Sequence, residues 1–405
     1  MQKNRKQQLS QVQSALIALL SNSVFGAKEI AVEIPDPELL LEEAEKQTVF
    51  PYVFQALTET AQVDPDRKWT LRFQKHLVHN LSVISLHFKT HELLTEAGIP
   101  YTVLKGCASG RYYPAPEMRT MGDVDIYVEQ SSMQSVSELF RSEGYQVSNT
   151  HHGHHWAFSK ANEEIEVHWQ PSGIPAADDG TIRSLFDDLL AKRFLDRSFG
   201  SGMYLPDPVH HGLVLLLHTA NHLSAGGIGL RHLIDWLVFV FSMPEKSFRE
   251  LLEQKLRQIG LWQFACVLTS IGVRFFSCEP RDFCADVSAD LALQILLDIF
   301  AGGNFGIKDN TRYLESKLLR DEQTREIDGG GRFRHLLRFM NRKAQLALPI
   351  TKKLPLLLPI GWVKAWILHM RAKDKVKYSS LDLRGVAKSA KERELLYKQL
   401  QLFKV

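Results

Sequence analysis

Apolar residues along this chain change their period twice, and those changes mark out its organisation. Over residues 1–95 they recur every three to four positions, which predicts helices at Leu9–Leu20, Pro37–Glu45, Phe50–Glu59 and a long Trp69–Ala97. From residue 96 the period falls to two. Val124, Ile126 and Val128 alternate with Asp123 and Asp125, and Ile165, Val167 and Trp169 alternate with Glu164, Glu166 and His168. Between these runs, Val136, Leu139 and Phe140 return briefly to helical spacing and stop at Gly144. The run His154–Ser159 leads to the second acidic run through a polar, hairpin-like Lys160-Ala161-Asn162-Glu163. The predicted order is strand, strand, helix, strand, strand, strand. Pro206-Asp207-Pro208 then opens a helical remainder, since proline suits the first turn of a helix. Breaks at Gly226–Gly229, Gly302–Gly306 and Asp328–Gly331 interrupt it, the last read as a flexible connection. The expected class is α+β: a small mixed sheet at 96–204, helices at 1–95 and 205–330, and a helical C-terminal segment at 331–405.

Alternation decides which side chains meet. Residues two apart on a strand share a face, so Asp123 and Asp125 project together while Val124, Ile126 and Val128 turn to the core. Adjacent carboxylates repel unless a cation sits between them, and oxygen-only ligands suit Mg2+ or Mn2+. Glu164, Glu166 and His168 share a face in the same way, which offers a third acid. An Asp-x-Asp is also common in turns and on solvated strand edges. The neighbouring Leu104-Lys105-Gly106-Cys107 and Arg119 are what lift the pair above that reading.

Here the residues carry a resemblance. The stretches YTVLKGCASGRYYPAPEMRTMGDVDIYVE and IEVHWQ resemble the bacterial uncharacterised nucleotidyltransferases, a family within the DNA polymerase beta-type nucleotidyltransferase superfamily. The match is firm over roughly residues 98–170 and looser at LLLHTANHL…GIGLRHLIDW and FAGGNFG. The resemblance implies a polymerase beta-like core and two metal ions, Mg2+ or Mn2+, held by Asp123, Asp125 and Glu166. The substrates it implies are an NTP and a hydroxyl acceptor. Two ions about 4 Å apart stabilise the entering and leaving oxygens of an in-line displacement. Glu166 would accept the hydroxyl proton, Lys105 and Arg119 would lie near the phosphates, and Gly106 would let the backbone approach them. The alternative is that Lys105 and Arg119 are fixed ion-pair partners of the aspartates in an inactive protein; His168 reads as a hydrogen-bonded neighbour of the acid. The chain departs from the family pattern at Cys107, where Gly or Ser is usual.

Composition narrows the partners. The 405 residues, 44% hydrophobic and 23% charged, suffice for two or three cores, and the net charge is only +3. From Gly331 to Val405 there are 18 Lys and Arg against 4 Asp and Glu, a surplus of 14, while the rest of the chain carries a deficit of 11. That basic segment suits an anionic contact, on a membrane surface or on the chain's own acidic body. The core carries no basic stripe with interleaved aromatics, which argues against nucleic acid as a substrate. Cys107, Cys266, Cys278 and Cys284 form no metal-binding spacing, which fits reduced thiols in a cytoplasmic protein. No signal-peptide pattern occurs at Met1–Ile30, and the apolar run Leu354–Leu368 is too short and too broken to span a bilayer.

Two histidine sets remain. His218 and His222 lie i,i+4 on one predicted helix, and Arg231 and Asp235 lie i,i+4 on the next. A third metal ligand is not evident, so these four read as a polar network beneath the site, or, with His168, as lining for the acceptor pocket. His151, His152, His154 and His155 invite a metal reading too, but only alternate ones can share a strand face. Three functions stay open: a nucleotidyltransferase, a non-catalytic binding protein that keeps the fold (with Cys107 in its favour), and a zinc hydrolase on the histidine pairs.

Overall fold

The computed structural model describes residues 8–27, 33–59, 66–149, 153–175, 178–309, 311–312, 341, 344–345, 348–352, 354, 357–371 and 383–404. It divides into two compact units, one of residues 1–310 with 396–405 and one of residues 311–395. In the second unit Trp362 Nε1 donates to Asn341 Oδ1 at 3.0 Å. The expected glycine joint at 328–331, His151, His152 and much of the basic segment lie outside the described residues.

The first unit begins with four helices, α1 (Gln11–Phe25), α2 (Pro37–Lys46), α3 (Phe50–Glu59) and α4 (Arg67–Glu96). Their starts are chemical: Ser10 and Gln13 make a reciprocal capping box on α1, and Asp36 accepts from Glu38 N and Leu39 N at the head of α2. The sheet strands follow as β1 (Tyr101–Val103), β2 (Val124–Val128), β3 (Gln146–Asn149), β4 (His155–Lys160) and β5 (Glu163–His168). A single turn of helix, α5 (Cys107–Gly110), follows β1, and α6 (Met133–Ser142) separates β2 from β3. The spatial order is β1-β2-β5-β4-β3, with β2 and β5 parallel and every other neighbour antiparallel. This is the expected order of elements in a small mixed sheet with helical flanks.

Two short helices, α7 (Thr181–Ser184) and α8 (Leu189–Lys192), and a two-stranded sheet of β6 (Phe194–Asp196) and β7 (Met203–Leu205) lead back to helices. Asp207 caps α9 (Pro208–Ala225) through Val209 N at 2.8 Å, with Pro208 in the first turn, as the Pro-Asp-Pro reading requires. Then come α10 (Leu230–Phe241), α11 (Glu245–Phe248), α12 (Gln254–Gln258), α13 (Trp262–Phe275) and α14 (Ala289–Gly302). One apolar core joins α1–α3 to α9, α10, α13 and α14, and a second packs the sheet against α4, α5 and α6. No helix among the described residues is long and apolar enough to cross a membrane.

Candidate active site

The site forms where β2 and β5 run side by side. Their parallel register sets Asp125 opposite Glu166 and Tyr127 opposite His168. Val124, Ile126, Ile165 and Val167 are fully buried on the other face, so apolar burial fixes which way the acids point. Asp123 precedes the first residue of β2 and is half-buried, whereas Asp125 is only 2% exposed. His168 Nε2 lies 2.9 Å from Asp125 Oδ1 and 3.2 Å from Glu166 Oε2, and Lys105 Nζ lies 2.7 Å from Asp125 Oδ1. His168 is thus the hydrogen-bonded neighbour that the alternation allowed. Glu164, on the same sequence face, is exposed.

The glycine turn is built around one residue. Leu104 N donates to Asp125 O at 2.9 Å, which holds the end of β1 against the acidic strand. Gly106 then adopts φ 58°, ψ −113°, and a Cβ there would sit 2.6 Å from His87 Nε2 on α4. Only glycine meets both demands. Cys107 opens α5 fully buried in the core of the sheet, and burial pushes its thiol up to about 12. Its side chain packs inward, into the core beneath the sheet.

Charge is unevenly shared among the acids. Burial raises Asp125, but Lys105 and His168 outweigh it and hold the carboxyl well below its ordinary range. Asp123 is pushed up to about 6, first by the charge of Asp125 and then by burial. Glu166 is lowered because the His168 hydrogen bond outweighs burial. Lys105 is raised, since Asp125 and Asp123 outweigh its own desolvation. One carboxylate, Asp123, therefore lacks enough positive charge nearby to stay ionised comfortably.

The loop that delivers Asp123 is clamped from several elements. Asn80 Nδ2 donates to Glu117 O at 2.7 Å and its Oδ1 accepts from Met121 N at 3.1 Å. His79 Nε2 lies 3.1 Å from Met121 O, Tyr52 OH donates to Ala115 O at 2.7 Å, and Arg231 Nη1 donates to Thr120 O at 3.1 Å. Arg119 is engaged by Asp235 of α10: Nε donates to Oδ1 and Nη2 to Oδ2, both at 2.7 Å. Tyr113 OH donates to Asp235 Oδ1 at 2.7 Å. Burial would raise Asp235, but Arg119 keeps it low. Arg119 thus faces α10 with both arms of its fork. Asn80, His79 and Tyr52 escaped the sequence reading. The available signal was Asn80 itself, a polar residue in the apolar stripe it shares with Val83, Ile84 and His87.

The helical histidines gather as expected and gain a third member. His218 and His222 have ring centroids 4.3 Å apart, and His232 of α10 lies 5.7 Å from each. Burial, with Lys105 next, drives His218 well below its ordinary value and His222 to about 4, so both rings are neutral. Phe305, 48% exposed at φ 56°, rests 4.6 Å from His222. On the sheet, His155 faces His168 across β4 and β5, and His154 joins them because it precedes the strand and escapes its alternation. Among the described residues two groups bring three ligand atoms within 4.8 Å of one another: Asp125, Glu166 and His168, and His154, His155 and His168. His218 and His222 belong to neither.

A model of the family described as uncharacterised nucleotidyltransferase matches residues 34–277, more than half of the chain. The protein belongs to this family. No curated protein matches it. The match to the nucleotidyltransferase family reaches from just before α2 to beyond α13, so it takes in Asn80, Asp235 and the His218 cluster as well as the sheet. Membership supports nucleotidyl transfer as the general activity, and nucleotidyltransferases generally use divalent metals.

Proposed function

We propose that the protein is a metal-dependent nucleotidyltransferase, moving a nucleoside monophosphate from an NTP to a hydroxyl of a small-molecule, sugar or protein acceptor. The observation that carries this reading is the convergence of Asp125 and Glu166 in register on parallel strands, with Asp123 just before β2 and near enough to Lys105 for each to shift the other. The donor set suits a hard divalent cation: its carboxylate oxygens include one, on Asp123, that the charge of Asp125 raises to about 6. Asp123 and Asp125 would hold the Mg2+ or Mn2+ of the triphosphate, and Asp125 with Glu166 one at the acceptor. Bound there, the cation supplies charge neutralisation to the phosphoryl oxygens.

The chain's own groups account for the rest. The acceptor oxygen attacks the α-phosphorus, its proton passes to ionised Glu166, and the bond to the β-phosphate oxygen breaks, so pyrophosphate leaves with the electron pair. Lys105 stands ready to neutralise phosphate oxygens. Arg119 enters as a positioning residue, acting through Asp235. Neutral His222, Arg231 and exposed Phe305 suit the wall against which an acceptor or base rests. A polymerase beta-like core agrees with the mixed sheet and the placement of the acids.

Calorimetry of the four NTPs with Mg2+ or Mn2+ tests the proposal, with wild type beside Asp123→Asn/Asp125→Asn. Metal-dependent binding of at least one NTP, lost in the double variant, is expected. Folded wild type that binds none of them sinks the reading in favour of a non-catalytic protein.

A further inference from the structure

Oxygen ligands explain only half of the chemistry at the edge of this site. The other half is imidazole. His155 and His168 stand opposite each other on β4 and β5 with ring centroids 4.8 Å apart, and one carboxylate reaches both. Glu166 Oε1 is 3.6 Å from His155 Nε2 and Glu166 Oε2 is 3.2 Å from His168 Nε2. Asp125 Oδ1 adds a fourth donor, 2.9 Å from His168 Nε2. His154 stands by, its ring 4.7 Å from His155.

We propose that His155, His168 and Glu166, completed by Asp125, form a binding site for a first-row transition-metal cation, with Zn2+ the best fit. Three arguments support it. Zn–N and Zn–O bonds of 2.0–2.2 Å in a tetrahedron place neighbouring donors roughly 3.4 Å apart. Three of the contacts here, 2.9, 3.2 and 3.6 Å, bracket that spacing, the last two made by the two different oxygens of Glu166. Second, His168 Nε2 carries at most one proton yet faces an oxygen on each of two carboxylates; Lys105 Nζ already serves Asp125 Oδ1 at 2.7 Å, which leaves Glu166, set between two imidazoles, as the carboxylate that a shared cation serves. Third, the donors stand on adjacent strands paired in register, so little rearrangement is needed to gather them. Imidazole beside carboxylate selects Zn2+ and its neighbours over Mg2+, which prefers oxygen alone.

Occupancy has a consequence that rests on the nucleotidyl-transfer reading: it takes Glu166 from the acceptor proton, so Zn2+ inhibits. The binding itself is tested without nucleotide. Co2+, a visible reporter for Zn2+ geometry, is titrated into the full chain, and Zn2+ is then used to displace it. Wild type is expected to show four-coordinate visible bands, and His155→Gln to weaken Co2+ binding at least tenfold. Asp123→Asn is expected to keep those bands while losing NTP binding, so failure here and failure of the transferase reading are separable. X-ray absorption of the Zn2+-loaded wild type supplies a readout that needs no variant, with at least two imidazoles expected in the first coordination sphere. Fewer than two imidazoles, or a folded His155→Gln that binds Co2+ like wild type, overturns the proposal.

Discussion

At the scale of single residues the firmest demand is on Gly106. Its φ of 58° and the His87 ring 2.6 Å from a would-be Cβ are separate penalties. Gly106→Ala is expected to cost ~1–3 kcal/mol. Adding His87→Ala removes the collision but not the backbone strain, so urea denaturation of the double variant should show coupling between the two sites. Purely additive losses would mean that His87 gives way freely. Asp235 makes the second demand. Asp235→Asn leaves the Arg119 guanidinium buried beside a neutral amide, which is expected to cost about 3–5 kcal/mol. Arg119→Met/Asp235→Leu should cost less than the single change, because the Arg119 charge goes with its partner, although the Tyr113 hydroxyl loses its acceptor. Thermal melts of the variants decide, and a double variant less stable than Asp235→Asn would contradict the argument.

At the scale of elements, the chain announced its strands more clearly than its partnerships. Alternation of Val124, Ile126 and Val128 with the aspartates, and of Ile165 and Val167 with Glu166, is a local signal, and burial of one face makes it reliable. The α9 start was legible for the same reason, since Asp207 and Pro208 act within one turn. That β2 runs beside β5, with β3 and β4 outside them, is not local. Nothing in residues 123–128 names a partner 41 positions later. The same limit hid Arg119 with Asp235 and the arrival of His232 beside His218, because ion pairs and ring contacts between separate elements leave no periodic trace. His154 and His155 show the converse. Strand alternation keeps neighbours apart only inside a strand, and β4 begins at His155, so the rule lapses one residue earlier.

At the scale of the whole molecule, buried neutral histidines govern the response to acid. Burial lowers His87 to about 4 and His211 to about 3, and it drives His218, His222 and His232 down as well. Below pH ~6.5 the unfolded chain binds protons that the folded chain refuses, so stability falls as pH falls. Each such group contributes about 1.4 kcal/mol per pH unit until its folded value is reached. Asp123, raised to about 6, opposes with one proton, and His168, raised in the fold, contributes a constant amount below 6.5. Urea midpoints should therefore drop steeply from pH 6 to pH 4.5. His211→Phe, which keeps a ring against Tyr112 and Phe239, should flatten that slope by about 1.4 kcal/mol per unit, and an unchanged slope would refute the assignment. The bond from Arg119 to Asp235, 116 positions apart, also bears on how the chain can be cut. A piece ending at residue 204 would keep Asp123, Asp125 and Glu166 and the whole five-stranded sheet, yet strand Arg119 and Tyr113 without their acceptor. The smallest excisable body that keeps these bonds therefore runs through α10 to Phe241, and a ribosome must release that helix before the loop ahead of β2 can make them.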